Sequence, residues 1–453
     1  MLEGPVDRTF LVRLVGAALG LRLFVALLTA VPAEDGVNYL WMAERIAAGD
    51  FGAALSDVFP PLWPTVIAGP VAAGLPAFRG AQLAAVLIGA LAVWPMARLA
   101  ARAVPEHARL VAILVAVSPL TVRFAGECYS EPLFLLLAAW ATELGLGGRR
   151  LAAACVILLA AWTRPEGSAI GAALWLTAPL GHLPALLAAV AAPLLLGAAR
   201  ALTGNGFEVL PKLALHASRP DTPMGAGFEF RPEVLLDNVI ALPGAWLEAF
   251  QGLGILAAFG LWYGRHDPAL RVHRWLLLLG VLAIVTFLTR RRFLVSWLFA
   301  VAPFAGVAFA RLPAPGRFPV TLLVFLVSFV SSLKLHDRDR IGEQAVGEYL
   351  AGQRMPDESV TGDMTRVLYF AGLRPLEPRH FSVDELVAAA RRPGVRFVVL
   401  GQNRPTAGPV QAALEPEFDT MAMPESVREA AERRGLVVLE RRAADEQGAR
   451  QGR

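Results

Sequence analysis

Residues Phe10–Val31 read FLVRLVGAALGLRLFVALLTAV, an almost wholly apolar run of 22 residues. An α-helix needs about 20 such residues to cross the hydrocarbon core of a bilayer. Arginines stand ahead of the run, as in a secretory signal peptide, but no convincing small-residue cleavage site follows. The stretch therefore reads as a first membrane span. Apolar runs recur near 78–100, 108–123, 131–147, 151–163, 168–180, 184–201, 245–263, 275–288, 293–310 and 318–335. The pattern predicts a mainly α, polytopic membrane protein of about eleven spans. The proline-punctuated stretch from Pro60-Pro61-Leu62-Trp63-Pro64 to Leu75 reads as a re-entrant or interfacial segment, or as a further span.

Composition agrees. Of 453 residues, 56% are hydrophobic and only 18% charged, too apolar a balance for a surface that must face water throughout. The net charge of +4 comes from scattered arginines. In a membrane chain that surplus reflects topology, and no nucleic-acid partner is expected. Cys128 and Cys155 sit in or beside apolar runs and read as small packing residues.

Arginine placement sets the expected orientation, because short cytoplasmic loops collect basic residues. With the N-terminus inside, the cytoplasmic loops hold Arg98, Arg102 and Arg109, then Arg149 and Arg150, then Arg265, Arg271 and Arg274, then Arg311 and Arg317. The outward loops hold Glu34-Asp35 and Glu127 with Glu131. Against the trend, Arg290-Arg291-Arg292 and Thr163-Arg164-Pro165-Glu166-Gly167 fall at outward helix junctions. The runs 151–163 and 168–180 are short for a full crossing, so these helices are expected to end early and open a cavity at the outer face.

Two domains are expected: a membrane part over 1–336 and a soluble α/β domain over 337–453 on the outer face. The membrane part carries a first outer loop at 32–77 and a long one at 202–244. In the soluble part, Glu343–Gln353 has helical spacing, and Ser382-Val383-Asp384-Glu385 is a capping-box start to a helix ending near Arg392. Val395–Leu400 and Leu436–Glu440 read as strands. No internal repeat, phosphate-cradling glycine loop or metal-ligand spacing stands out.

Polar residues at the outward junctions are the candidates for chemistry. Segment 37–48 reads as an amphipathic helix along the membrane surface, with Asp35 at its start. Asp35 is open to two readings, an N-cap that satisfies free backbone N–H groups or a general base. The arginines 290–292 either snorkel to lipid headgroups or bind an anion. Arg164 either pairs with Glu166 or binds the same anion. Glu127 and Glu131 share one helix face if that segment is helical, and Glu131, before Pro132, either caps the next span or lines a site. His216 and Asp221 are further candidates for acceptor contacts.

Taken in order, these motifs resemble a known family. Asp35 closes the first span, Tyr39 follows four residues on, and Ala43, Gly49 and Phe59-Pro60-Pro61-Leu62 come next. Ser118-Pro119 leads to Glu131, and Thr163-Arg164-Pro165-Glu166-Gly167 and Arg291-Arg292-Phe293 complete the set. The arrangement, over roughly residues 8–310, is similar to GT-C glycosyltransferases, nearest to protein O-mannosyltransferases and lipid A aminoarabinose transferases. Many relatives carry two adjacent acids at the Asp35 and Gly36 positions. Here the pair is Glu34-Asp35.

The resemblance implies inverting transfer of a sugar from a polyprenyl-phosphate donor to an acceptor hydroxyl on a glycan, lipid or protein. Asp35 would be the general base. Glu34, Tyr39, Glu127 and Glu131 would line the donor and acceptor cavity, and Arg164, Arg290, Arg291 and Arg292 would hold the lipid phosphate. No cofactor is required by this reading; a divalent metal is compatible with the family, but no acid cluster here demands one. Richness in alanine, arginine and leucine suggests a GC-rich bacterial genome, hence an inner-membrane protein with a cytoplasmic N-terminus and a periplasmic C-terminal domain. The competing reading is a transporter or flippase for a lipid-linked or anionic substrate, which the lack of an inverted repeat disfavours. A membrane-anchored interaction protein would leave the outward polar clusters unexplained.

Overall fold

The structure is a computed structural model that describes residues 6–55, 59–208, 232–287, 290–333, 340–373 and 382–442. His216, Asp221 and most of the 202–244 loop lie outside the described residues. The chain divides into two compact units, one formed by Met1–Leu28 and Met42–Lys334, the other by Thr29–Trp41 and Leu335–Arg453.

The first unit is helical. Among the described residues, seven helices are long and apolar enough to cross a membrane: Arg8–Leu28, Ala77–Ala103, Pro105–Glu127, Leu183–Leu202, Pro232–Tyr263, Pro268–Thr286 and Ala314–Ser332. Each coincides with one of the eleven expected spans. The other four expectations fall on shorter helices: Glu131–Leu146 of 16 residues, Arg150–Thr163 of 14, Ser168–Thr177 of 10, and Arg291–Val295 followed by the 14 residues Leu298–Arg311. At about 1.5 Å per residue a 14-residue helix reaches roughly 21 Å, short of the ~30 Å core. Glu131, Arg164, Glu166 and Arg292 stand at or beside ends of these helices, and charge in hydrocarbon is costly. The Pro60–Leu75 stretch contains an 11-residue helix, Leu62–Ala72.

Prolines set the breaks within the longer elements. Pro95 cannot donate to Leu91, and Ala77–Leu91 gives way to Val93–Ala103 at Ala92. Ser118, ahead of Pro119, has extended geometry and separates Ala108–Ala116 from Pro119–Glu127. Close helix packing relies on missing side chains. A Cβ on Gly260 would overlap the backbone of Phe304, so the helices Pro232–Tyr263 and Leu298–Arg311 touch through that glycine. Arg22 is buried in the first helix, donating from Nη1 to the carbonyls of Ala18 (3.2 Å) and Ala116 (3.0 Å) and from Nη2 to Thr121 Oγ1 (3.2 Å).

The second unit is an α/β domain. Its strands are β1 (Ser359–Gly362), β2 (Val395–Gly401), β3 (Phe418–Thr420) and β4 (Leu436–Arg441), in the order β1-β2-β4-β3. β1 runs parallel to β2, and the other pairs are antiparallel. Phe397 and Val399 pack on one face with Val346, Leu350 and Val367, while Val398 and Leu400 pack on the other with Leu386, Val410 and Leu414. Helices therefore cover both faces, which is why β2 reads as an unbroken apolar run. The two strands expected from sequence are β2 and β4; β1 and β3 are additions. The capping box forms as expected: Ser382 Oγ accepts from Glu385 N and Glu385 Oε2 from Ser382 N, and the helix ends at Ala390.

Candidate active site

In the first unit, three separate helix ends bring charged side chains together. The helix Pro119–Glu127 stops at Cys128, whose φ of 61° and ψ of 33° are left-handed, a conformation uncommon outside glycine. Trp63 Nε1 donates to the Cys128 carbonyl at 3.2 Å and holds this turn. Tyr129 and Ser130 complete it, and Glu131 opens the next helix with Pro132 in its first turn. Arg164 precedes Pro165, which disfavours helical geometry; its φ of −154° and ψ of 136° end Arg150–Thr163. Arg290 is extended at the start of Arg291–Val295, placing Arg292 in that helix's first turn.

These turns converge on Glu131, whose side chain is fully buried. Its Oε1 accepts from Arg164 Nη1 at 2.7 Å and from Arg292 Nε at 2.7 Å. Arg164 also donates from Nη2 to Glu166 Oε1 at 2.7 Å. Aromatic rings wall the cluster: Arg292 lies 4.3 Å from the Tyr129 ring centroid, and Arg164 5.8 Å from Phe134 and 5.6 Å from Phe293. Glu131 Oε2 and Arg164 Nε are buried and have no hydrogen-bond partner among the described residues. The other two arginines of the triplet behave differently. Arg290 and Arg291 are exposed, and Arg291 makes a 3.4 Å ion pair with exposed Glu248. Glu127 is buried and pairs with Arg123 at 3.2 Å.

In the second unit, the Val37 N–H bonds to the Ala33 carbonyl at 3.1 Å, so the helix Glu34–Ala47 starts one turn before the expected position. Ala33 takes the cap position. Asp35 lies inside the first turn, where the helix dipole favours a carboxylate, and it is buried. The N-cap reading of Asp35 is thereby replaced. Tyr39, one turn on, is also buried. Glu34 meets Arg404, whose Nη2 lies 3.7 Å from Glu34 Oε1 and whose Nε lies 3.5 Å from Asp363 Oδ2. Asp363 Oδ1 accepts from the Gly401 N–H at 3.0 Å. Burial pushes the Asp363 carboxyl above its ordinary value, against the pull of Arg404. Asp363 and Arg404 escaped the sequence reading because nothing local marks them. Among the described residues, no three His, Cys, Asp or Glu side chains are grouped to hold a metal ion.

No family model and no curated protein matches the chain by sequence. Solved structures do match. ArnT from Cupriavidus metallidurans bound to undecaprenyl phosphate is 14% identical with a TM-score of 0.62, over 97% of this chain and 99% of that one. The same protein in the apo state gives 15% identity and 0.61 over 94% and 97%. The archaeal oligosaccharyltransferase AglB from Archaeoglobus fulgidus, in complex with an inhibitory peptide and a dolichol-phosphate, gives 13% and 0.55 over 90% and 72%. At these identities the likeness is one of fold. The chain has the GT-C fold of these membrane proteins.

Proposed function

We propose that this chain is an inverting glycosyltransferase that moves a sugar from a polyprenyl-phosphate donor to an acceptor hydroxyl. The observation that carries the reading is the pair Arg164 and Arg292 held on one oxygen of buried Glu131, in a chain with the GT-C fold. Guanidinium groups match phosphate oxygens, and burying Arg164 and partly burying Arg292 at helix ends is expensive without a task. ArnT and AglB, which share the fold, are described with undecaprenyl phosphate and dolichol-phosphate respectively.

In this reading Asp35 accepts the proton of the acceptor hydroxyl as that oxygen bonds to C1 of the sugar. The C1–O bond to phosphate breaks, and its electron pair leaves on the polyprenyl phosphate. Arg164 and Arg292 stabilise the charge that develops there. Glu131, fully buried, orients the two arginines rather than touching substrate. The four short helices complete eleven crossings, with the sheet domain on the periplasmic side of a bacterial inner membrane.

The test is sugar transfer by the full chain in nanodiscs, followed by mass spectrometry with a panel of polyprenyl-phosphate sugars and envelope acceptors. Asp35→Asn should lower turnover roughly a hundredfold to ten-thousandfold while the protein stays folded. Release of polyprenyl phosphate at the wild-type rate by the variant would remove Asp35 as base. No turnover by folded wild type with any donor would favour the transporter or flippase reading.

A further inference from the structure

We propose that Arg404 is a positioning residue: it ties Glu34, and through it the first turn that carries Asp35, to the buried Asp363 of the sheet domain. The inference rests on the reading of Asp35 as the base. Residues Thr29–Trp41 form one compact unit with Leu335–Arg453, so the start of the Asp35 helix belongs with the sheet and not with the helices that flank it in sequence.

The anchor of the tie is rigid. Asp363 follows β1, and its backbone N–H bonds to the Val399 carbonyl of β2 at 3.1 Å. Its carboxylate is fixed by the Gly401 N–H at 3.0 Å, and its side chain is only 3% exposed. Arg404 leaves the end of the neighbouring strand β2, next to Gly401, where a Cβ would stand 3.6 Å from Arg404 Cγ. Its guanidinium then reaches both carboxylates, 3.5 Å to Asp363 and 3.7 Å to Glu34. Two acids sharing one cation repel each other once the cation is removed, so the loss of Arg404 pushes Glu34 away from Asp363.

The effect on Asp35 follows from helix geometry. Consecutive residues lie about 100° apart around a helix axis. Fixing the Glu34 side chain therefore fixes the rotation of the first turn and the direction of its neighbour Asp35. First turns otherwise fray, because their N–H groups have no partner within the helix. A base whose direction wanders loses turnover without losing donor affinity, since the donor phosphate is held by other residues. Glu34 thus takes a different task from that of the second acid seen in relatives: it is the handle by which the sheet domain sets the base.

The experiment uses the full chain in nanodiscs with Arg404→Gln, Arg404→Lys and Glu34→Gln. Hydrogen exchange is read at the amides of residues 37–40 and of β2, and kcat and KM are measured with a polyprenyl-phosphate sugar. Arg404→Gln should speed exchange at 37–40 about tenfold while β2 is unchanged. It should lower kcat roughly tenfold to a hundredfold at constant donor KM, with partial rescue by Arg404→Lys. If β2 also loosens, Glu34→Gln, which leaves the sheet intact, should reproduce both effects. Unchanged exchange at 37–40 in both variants would overturn the tie. Faster exchange with unchanged kcat would overturn the positioning role. Faster exchange in a chain whose wild type transfers no sugar would sink the glycosyltransferase reading, and the positioning role with it, while leaving the tie in place.

Discussion

Glu343 and Glu131 are buried glutamates that each collect two arginines, and they do so in opposite ways. In the sheet domain, Glu343 uses both oxygens: Arg366 Nε bonds to Oε2 at 2.7 Å, Arg366 Nη2 to Oε1 at 2.9 Å, and Arg434 Nε to Oε1 at 2.6 Å. In the helical unit, Glu131 places both arginines on Oε1, leaving Oε2 and the Arg164 Nε buried and unused among the described residues. Buried polar groups are almost always paired, because an unpaired one forfeits its hydration with nothing in return. The saturated cluster is therefore scaffold. The unsaturated one leaves a guanidinium N–H of Arg164 unspent, which under the proposed function is a donor for the lipid phosphate, and the difference between the two is visible in hydrogen bonding rather than in residue composition.

The largest effect that would break this comparison is one on stability. Arg366→Ala leaves Glu343 buried with half its partners, and should cost the sheet domain about 3–5 kcal/mol. Hydrogen exchange at β2 in the full chain would read it. The same cluster predicts a pH dependence. Burial pushes the Glu343 carboxyl up, but the hydrogen bonds and charges of Arg366 and Arg434 outweigh it and bring it below the ordinary 4.5. Its stabilisation is thus fully present above that value and is lost as pH falls through the lower folded value. Wild-type β2 should lose protection on acidification below about pH 4.5 by this route, and Arg366→Ala should show a shallower loss over the same range. Equal acid profiles would show that Glu343 is not the group responsible.

The matching change in the open cluster should act on chemistry instead. Arg164→Ala removes a cation at the site assigned to the leaving phosphate, and transfer should fall about a hundredfold to a thousandfold. Exchange in the sheet domain should not respond. If Arg164→Ala destabilises the chain and its folded fraction transfers sugar at the wild-type rate, then the Glu131 cluster is scaffold too, and its unused atoms mean nothing.

Much of this was legible in the sequence, for a reason of length scale. Long apolar runs announce the seven long helices, the Ser382–Glu385 capping box announces its helix, and the apolar runs 395–400 and 436–440 announce β2 and β4. Glu131, Arg164 and Arg292 could be named because each is a charge beside an apolar run, where charge is costly. Their meeting on one oxygen could not be named, because it depends on three turns far apart in the chain. β1 and β3 have only four and three residues, too few for a period to show. The Glu34–Arg404–Asp363 bridge has no local signal at all. Arg22 interrupts the first span conspicuously, yet sequence cannot tell a snorkelling arginine from one bonded to the Ala116 carbonyl.

The smallest expected effect concerns the two arginines that stayed outside the cluster. Glu131 and Glu166 balance the charges of Arg164 and Arg292, so under the proposed function the cluster would offer an incoming phosphate hydrogen-bond donors rather than net positive charge. Arg290 and Arg291 are exposed next to it in the chain, and the ion pair of Arg291 with Glu248 is itself exposed. Charges in that position act at long range through water, attracting the donor headgroup without fixing its geometry, and salt screens them within about 8–10 Å. The double change Arg290→Ala and Arg291→Ala should therefore raise the donor KM about twofold to tenfold at low salt, less at high salt, with kcat unchanged. A fall in kcat comparable to that of Arg164→Ala would mean that these side chains turn inward and grip the phosphate during transfer, making all three consecutive arginines one site rather than a site and its approach.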